Sequence, residues 1–263
     1  MLCMKYIAFY QKAFKSMTLY RSTTMIRLLS SVLMYFIQYS LWSALLRTGN
    51  HAGVSLNEMI SYVVINLFVS KLTDTNIASQ LEPSIRDGSV AMDFIRPINF
   101  RLYLFSSSLG TNTYNMLTSA LPIVIMTFLL HRLSFPSPLY TLMFVLSLLI
   151  GIFVIFELTY IFGLLAFFTQ KAWYLNWYLD GFKTIFGGTI VPLWFYPDIL
   201  KRMSMLLPFR YISYEPVNFF LQRTSMEESW QVLFIGAGWI IILRLVSTLI
   251  YHRIMNRIAI NGG

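Results

Sequence analysis

From residue 102 to residue 130 the chain carries no formally charged side chain. That exceeds the ~20 apolar residues a helix needs to cross the hydrocarbon core of a bilayer. The run 139–170 is longer and holds one acid, Glu157, while the runs 28–46 and 230–251 hold no charge except Arg244. Charged residues make up 12% of the chain, against about 25% in soluble domains. Hydrophobic residues make up 57%, and the mean hydropathy is +0.63. No polar stretch is long enough to build a soluble domain. The expectation is an all-α polytopic membrane protein, a single transmembrane domain over residues 1–263.

Six spans are expected, at about 28–46, 59–72, 102–130, 139–170, 173–194 and 230–251, with Gly110 and Pro122 bending the third. The net charge is +9. Its bases are scattered between apolar runs rather than gathered in an aromatic-interleaved stripe, which argues against nucleic acid. With both termini inside, twelve bases face the cytoplasm: Lys5, Lys12, Lys15, Arg21, Arg27, Lys71, Arg86, Arg96, Arg101, Lys171, Arg253 and Arg257. Six face outward: Arg47, Arg132, Lys201, Arg202, Arg210 and Arg223. That bias sets the orientation by the positive-inside rule, the outer cluster being read as bases that reach up to headgroups. Halves 1–130 and 131–263 show no internal repeat, which weighs against inverted-repeat transporters.

Three segments depart from plain spans. In 1–22, Tyr6, Phe9, Tyr10, Ala13, Phe14, Met17 and Tyr20 share one helical face and Lys5, Lys12 and Lys15 the other. This reads as an interfacial helix with its apolar face in acyl chains, the alternative being a simple extension of the first span. The lysines also interrupt any signal-peptide core. Segment 73–100 is a charged island. Ile77, Leu81 and Ile85 recur on one face, Glu82, Arg86 and Asp87 project elsewhere, Asp87-Gly88 signals a turn and Arg96-Pro97 a break. A loop of that length is seldom idle, so it reads as a docking element. Segment 192–221 holds short, proline-punctuated amphipathic pieces, read as half-helices folded into the outer interface against protein or water.

Soluble-enzyme motifs are missing: no phosphate-binding glycine loop precedes Lys183-Thr184, and there is no H-E-x-x-H, C-x-x-C or G-x-S-x-G. Cys3 is the single cysteine, so an internal disulfide is excluded. His51, His131 and His252 lie far apart and read as solvated rather than as ligands. The ionisable groups inside spans are the default functional suspects: Glu157, Asp180, Lys183 and Arg244. Asp180 and Lys183 stand three apart and can neutralise each other. Glu157 and Arg244 can pair across helices.

The segment from Ile85 to Ile98, I-R-D-G-S-V-A-M-D-F-I-R-P-I, resembles the first cytoplasmic loop of ABC type-2 permeases, more closely a subfamily with I-R-x-G-x-(I/V)-A-x-D-(F/L)-(I/L)-R-P. A second stretch, P-L-W-F-Y-P-D-I-L from Pro192 and then L-L-P-F-R-Y-I-S-Y-E-P from Leu206, is similar to that family's outer half-helix region. The resemblance covers nearly the whole chain.

It implies an exporter permease in the cell membrane, multi-pass, with no ATPase site of its own. ATP and magnesium would be held by two separate ABC ATPase subunits, so this chain would bind no cofactor or metal. A second permease copy or a sister permease would complete the path. The helix with Ile77, Leu81, Glu82, Ile85, Arg86, Asp87 and Gly88 would couple to the ATPase, and Pro192, Phe195, Pro197, Pro208 and Tyr211 would form the outer gate. The rival reading is an ion-coupled secondary transporter using Glu157, Asp180 and Lys183. A membrane-embedded enzyme would need clustered acids or histidines at one depth, and a scaffold would not need the island.

Overall fold

A computed structural model describes residues 2–47, 53–90, 92, 98–131, 135–169 and 173–261. Among them the regular elements are all helical. Helix α1 (Leu2–Thr18) stops in a tight turn and α2 (Arg21–Arg47) starts at once. Ser55 caps α3 (Leu56–Leu72) by accepting from the Glu58 N–H, and Asn76 caps α4 (Ile77–Arg86) by accepting from the Ser79 N–H. Asn99 caps α5 (Phe100–Asn115), which runs through a π-turn (Met116–Ala120) into α6 (Leu121–His131). Then come α7 (Pro138–Thr169), α8 (Trp173–Phe186), α9 (Asp198–Leu206), a 3-10 turn (Pro208–Ile212), α10 (Tyr214–Phe220) and α11 (Met226–Asn261). Ser225 and Glu228 start α11 as a reciprocal capping box, at 3.2 and 3.3 Å.

Among the described residues four helical stretches are long and apolar enough to cross a membrane: Arg21–Arg47, Phe100–Leu130, Pro138–Phe167 and Met226–Ile254. The two other expected spans are shorter. α3 has 17 residues, about 26 Å of helix, and α8 has 14, about 21 Å, against a core of about 30 Å.

Helix α7 is the central post. Its C-terminal half carries α4 in a cluster of Ile77, Leu81, Phe156, Tyr160 and Leu164, joined by Phe100 and Ile254. Its N-terminal half carries the 3-10 turn, α10 and the start of α11: Tyr140 donates to the Thr224 carbonyl at 2.7 Å, and Met143 packs with Phe219 and Leu233. The charged island and the proline-rich region therefore sit toward opposite ends of one bundle.

Three sequence expectations are corrected. The aromatic face of α1 does not lie in acyl chains. Phe9 meets Tyr103 edge-on at 4.9 Å, Phe14 meets Tyr114 at 5.4 Å, and Tyr6 accepts from the Asn99 N–H, because α5 offers matching rings. Gly110 leaves helix α5 unbroken. It lets α1 lie directly on α5, since a Cβ there would overlap the Tyr10 carbonyl. The run stays continuous past Pro122, whose missing N–H follows directly on the π-turn. Arg210 does not reach toward headgroups. It is buried and faces Glu215 at 3.3 Å, because 208–220 is packed inside the bundle.

Candidate functional site: a docked helix and a polar seam

Helix α4 shows two faces. Ile77, Ala78 and Leu81 are buried against α7 and α8, and Ile85 packs on the same side. At Gly163 of α7 a Cβ would stand 2.8 Å from Ile77 Cγ2, so the helix is seated where only glycine leaves room. Asn176 of α8 donates to Ser79 Oγ at 2.6 Å. The other face is open: Gln80, Pro83, Arg86, Asp87, Gly88 and Ser89 are exposed, and Glu82 is half-buried. Asp87 accepts from the Ser89 N–H at 2.9 Å, and the Ser89 hydroxyl together with that N–H holds its carboxyl below the usual range. Gly88 closes the helix at φ +76°. Of the residues singled out in the island, Ile77, Leu81 and Ile85 thus hold α4 to its own chain, and Arg86, Asp87 and Gly88 stand free for a partner. Residues 93–97, the second half of the motif, lie outside the described residues.

Beside α4 begins a seam that the sequence reading missed. Tyr62, Asn66, Ser70 and Asp74 recur every four residues, one polar stripe along α3 and just past it. The stripe walls a cavity of about 360 Å³ that also takes in Gln38, Asp180 and Lys183. A second cavity of about 290 Å³ shares Lys71 and Asp74 with the first and adds Arg27, Asn76, Gln80 and Asn115. Its α5 wall, Ser108, Asn112, Asn115 and Ser119, again repeats on one helical face. Arg27 donates to Asn115 Oδ1 at 2.6 Å, and Asn112 donates to the Leu72 carbonyl at 2.9 Å and to Thr75 Oγ1 at 3.0 Å. Ser108 and Ser119 keep buried hydroxyls without a partner among the described residues.

The seam ends at the outer pieces. Tyr62 donates to the Gly188 carbonyl at 2.5 Å, Asn66 donates to the Thr189 carbonyl, and Ser213 donates to Asn66. These bonds satisfy the non-helical backbone after α8, which the bundle interior otherwise leaves without partners. Of the gate residues, Pro192, Pro208 and Tyr211 are buried, Phe195 stacks on Trp42 at 5.2 Å, and Pro197 is exposed and starts α9. Burial pushes the Glu215 carboxyl up to about 7, the desolvation outweighing the attraction of Arg210.

The intramembrane charges separate into two groups. Asp180 and Lys183 pair at 3.2 Å on the cavity wall. Glu157 is buried, with Arg244 at 3.7 Å, but its nearer partner is Arg101. Arg101, counted above as a cytoplasmic base, is 8% exposed and stacks over Tyr160 at 5.0 Å, because a carboxylate in an apolar helix draws in the nearest guanidinium. No group of three or more metal-ligating side chains occurs among the described residues, and His252 is exposed near the end of α11.

The sequence model of the ABC-2 family transporter proteins matches residues 7–262. The chain belongs to that family. No curated protein and no solved structure matches it. The ABC-2 chain is thus a multi-pass permease component of an ABC transporter, and its family is the membrane part, without the ATPase site. ABC-2 permeases typically work with ATPase subunits.

Proposed function

We propose that the chain is an exporter subunit of the cell membrane with both termini cytoplasmic. α4 is its coupling helix, α1 its elbow, and the buried pieces over 192–221 its outer gate. Two ATPase subunits carry ATP and magnesium, and a second copy or a sister permease closes the path along the α2–α3 face. In this reading α3 and α8 complete six crossings, each shortened where polar backbone turns inward. The observation that carries it is the seating of α4. A short helix buries its apolar face on the central post and leaves Arg86, Asp87 and Gly88 open at the end opposite the gate. The polar seam running from that helix to Ser213 supports a substrate path lined by hydroxyls and amides.

The chain supplies no chemistry of its own here. Nucleotide closure would move the coupling helix, and the bundle would answer through packing that differs between its two states. The test is transport and ATP hydrolysis in vesicles holding the permease with its ATPase. Exchanging the charges at Arg86 and Asp87, or Gly88→Pro, should leave insertion intact and cut transport per ATP at least tenfold. Normal coupling in those variants, or transport by the chain without any ATPase, overturns the reading. The ion-coupled alternative finds Glu157 held between two arginines, a poor setting for a carboxyl that must take up and release a proton.

A further inference from the structure

We propose that the cavity between the start of α5 and the far part of α11 binds a phosphate group, carried by an anionic lipid headgroup or free in solution. The cavity measures about 360 Å³, and its wall includes Asn99, Arg101, Tyr160, Arg244, Thr248 and His252. Arg101 and Arg244 share a single carboxylate, Glu157. Among the described residues one positive charge is left over, at a site where Arg101 is 8% exposed. The Nε of Arg101 is buried and has no hydrogen-bond partner among the described residues. A buried donor without an acceptor is a standing cost, and the leftover charge adds to it. An anion in the cavity supplies the countercharge.

Two further features suit a phosphate. The N-terminus of α5 opens on the same space, with the Asn99 side chain already engaged on the Leu102 N–H, so the positive end of the helix dipole faces the cavity. Arg244 is the adaptable partner: its side chain is 51% exposed and can offer paired donors to phosphate oxygens. The volume equals about a dozen waters at roughly 30 Å³ each, room for a phosphodiester and its glycerol.

The opening favours the lipid source. On α11 Thr248 is half-buried and His252 is exposed, where the uncharged stretch that follows Arg244 ends at Arg253. A basic pocket between helices at that depth meets headgroups of the adjacent leaflet. This inference rests on the four long helices lying in a bilayer. It does not depend on α4 coupling to an ATPase.

The experiment uses the full chain purified in detergent. Native mass spectrometry reads retention of phosphatidylglycerol against phosphatidylcholine, and thermal melting reads stabilisation by each lipid and by millimolar inorganic phosphate. The parent should retain phosphatidylglycerol selectively. Arg244→Gln, a change at an exposed position, should lower that retention at least fivefold, and Arg244→Lys should lower it less. Stabilisation of the parent by inorganic phosphate, lost in Arg244→Gln, assigns the site to a free anion. Equal retention by the parent and Arg244→Gln, with no response to phosphate in either, overturns the proposal. A chain that couples normally to its ATPase yet shows that equality sinks this inference alone.

Discussion

The seat of α4 on Gly163 can be tested with one methyl group. Gly163→Ala places a Cβ 2.8 Å from Cγ2 of Ile77, a side chain that is fully buried and stiff at its branch point. Overpacking of this kind costs about 1–3 kcal/mol. Alanine in place of glycine inside α7 returns about 1 kcal/mol of helix propensity. The two terms act on different parts of the molecule. The bundle as a whole should melt within a few degrees of the parent, while α4 should lift from its seat more often, by about five- to a hundredfold at tenfold per 1.4 kcal/mol. Hydrogen exchange over Ile77–Arg86 measures that opening directly. Ile77→Leu moves the branch away from the backbone at nearly constant volume and should cost under about 1.5 kcal/mol alone. Combined with Gly163→Ala it should restore slow exchange, a non-additive result of the kind neighbouring residues give. Fast exchange confined to the double variant, or unchanged exchange in Gly163→Ala, would refute the idea that glycine at 163 sets how α4 is held.

Arg101→Met leaves buried Glu157 with the more distant Arg244 and the Ser247 hydroxyl and should lower the melting point by an amount equivalent to roughly 3–5 kcal/mol. Adding Glu157→Gln should recover most of it. Glu215 holds its proton to about pH 7 when folded, against 4.5 when unfolded. Its contribution is therefore complete below pH 4.5 and declines as pH rises through 7. Stability should fall by up to about 1.4 kcal/mol per pH unit in that window, and Glu215→Gln should flatten the profile. Asn66→Leu strips partners from Thr189 and Ser213 and should cost about 1–3 kcal/mol in thermal stability and slow transport more than Gln38→Leu does. Arg223→Met removes a 3.0 Å pair with Glu58 and a stack on Trp194, both partly solvated, and should shift stability by no more than about 1–2 kcal/mol.

The parts of this fold that were legible in the sequence are those that solvent alone dictates. Apolar runs of about twenty residues or more with at most one charge leave a chain few places to be, and the four long helices among the described residues lie where those runs lie. The end of α4 was legible too, because Asp87-Gly88 is a strong turn signal. What hid was tertiary. Arg101 flanks an apolar run, and charge counting treats every flanking base as a surface base. Its burial follows from Glu157, fifty-six positions later in the chain, needing a cation. The aromatic face of α1 was equally ambiguous, since rings that suit acyl chains also suit Tyr103 and Tyr114. The seam, by contrast, was there to be read. Tyr62, Asn66 and Ser70 repeat every four residues inside a short apolar segment, and as uncharged groups they stand out only against that periodicity.

The position of α7 bears on how a push at one end can be felt at the other. Its 32 residues make a rod of about 48 Å. Near one end Gly163 abuts α4, and twelve residues earlier Gly151 abuts the Tyr211 backbone. At about 100° per residue those contacts lie roughly a third of a turn apart around the helix and about 18 Å apart along it. α4 and the 3-10 turn therefore touch different faces of the same helix, and under the proposed function no chain of side-chain rearrangements is needed between them. A sideways force on α4 tilts α7, and Tyr211, which is almost fully buried beside it, has to repack. Substitutions that loosen either seat should weaken coupling without touching substrate or nucleotide. Substitutions at lipid-facing positions of α7, such as Leu142 or Leu149, should not.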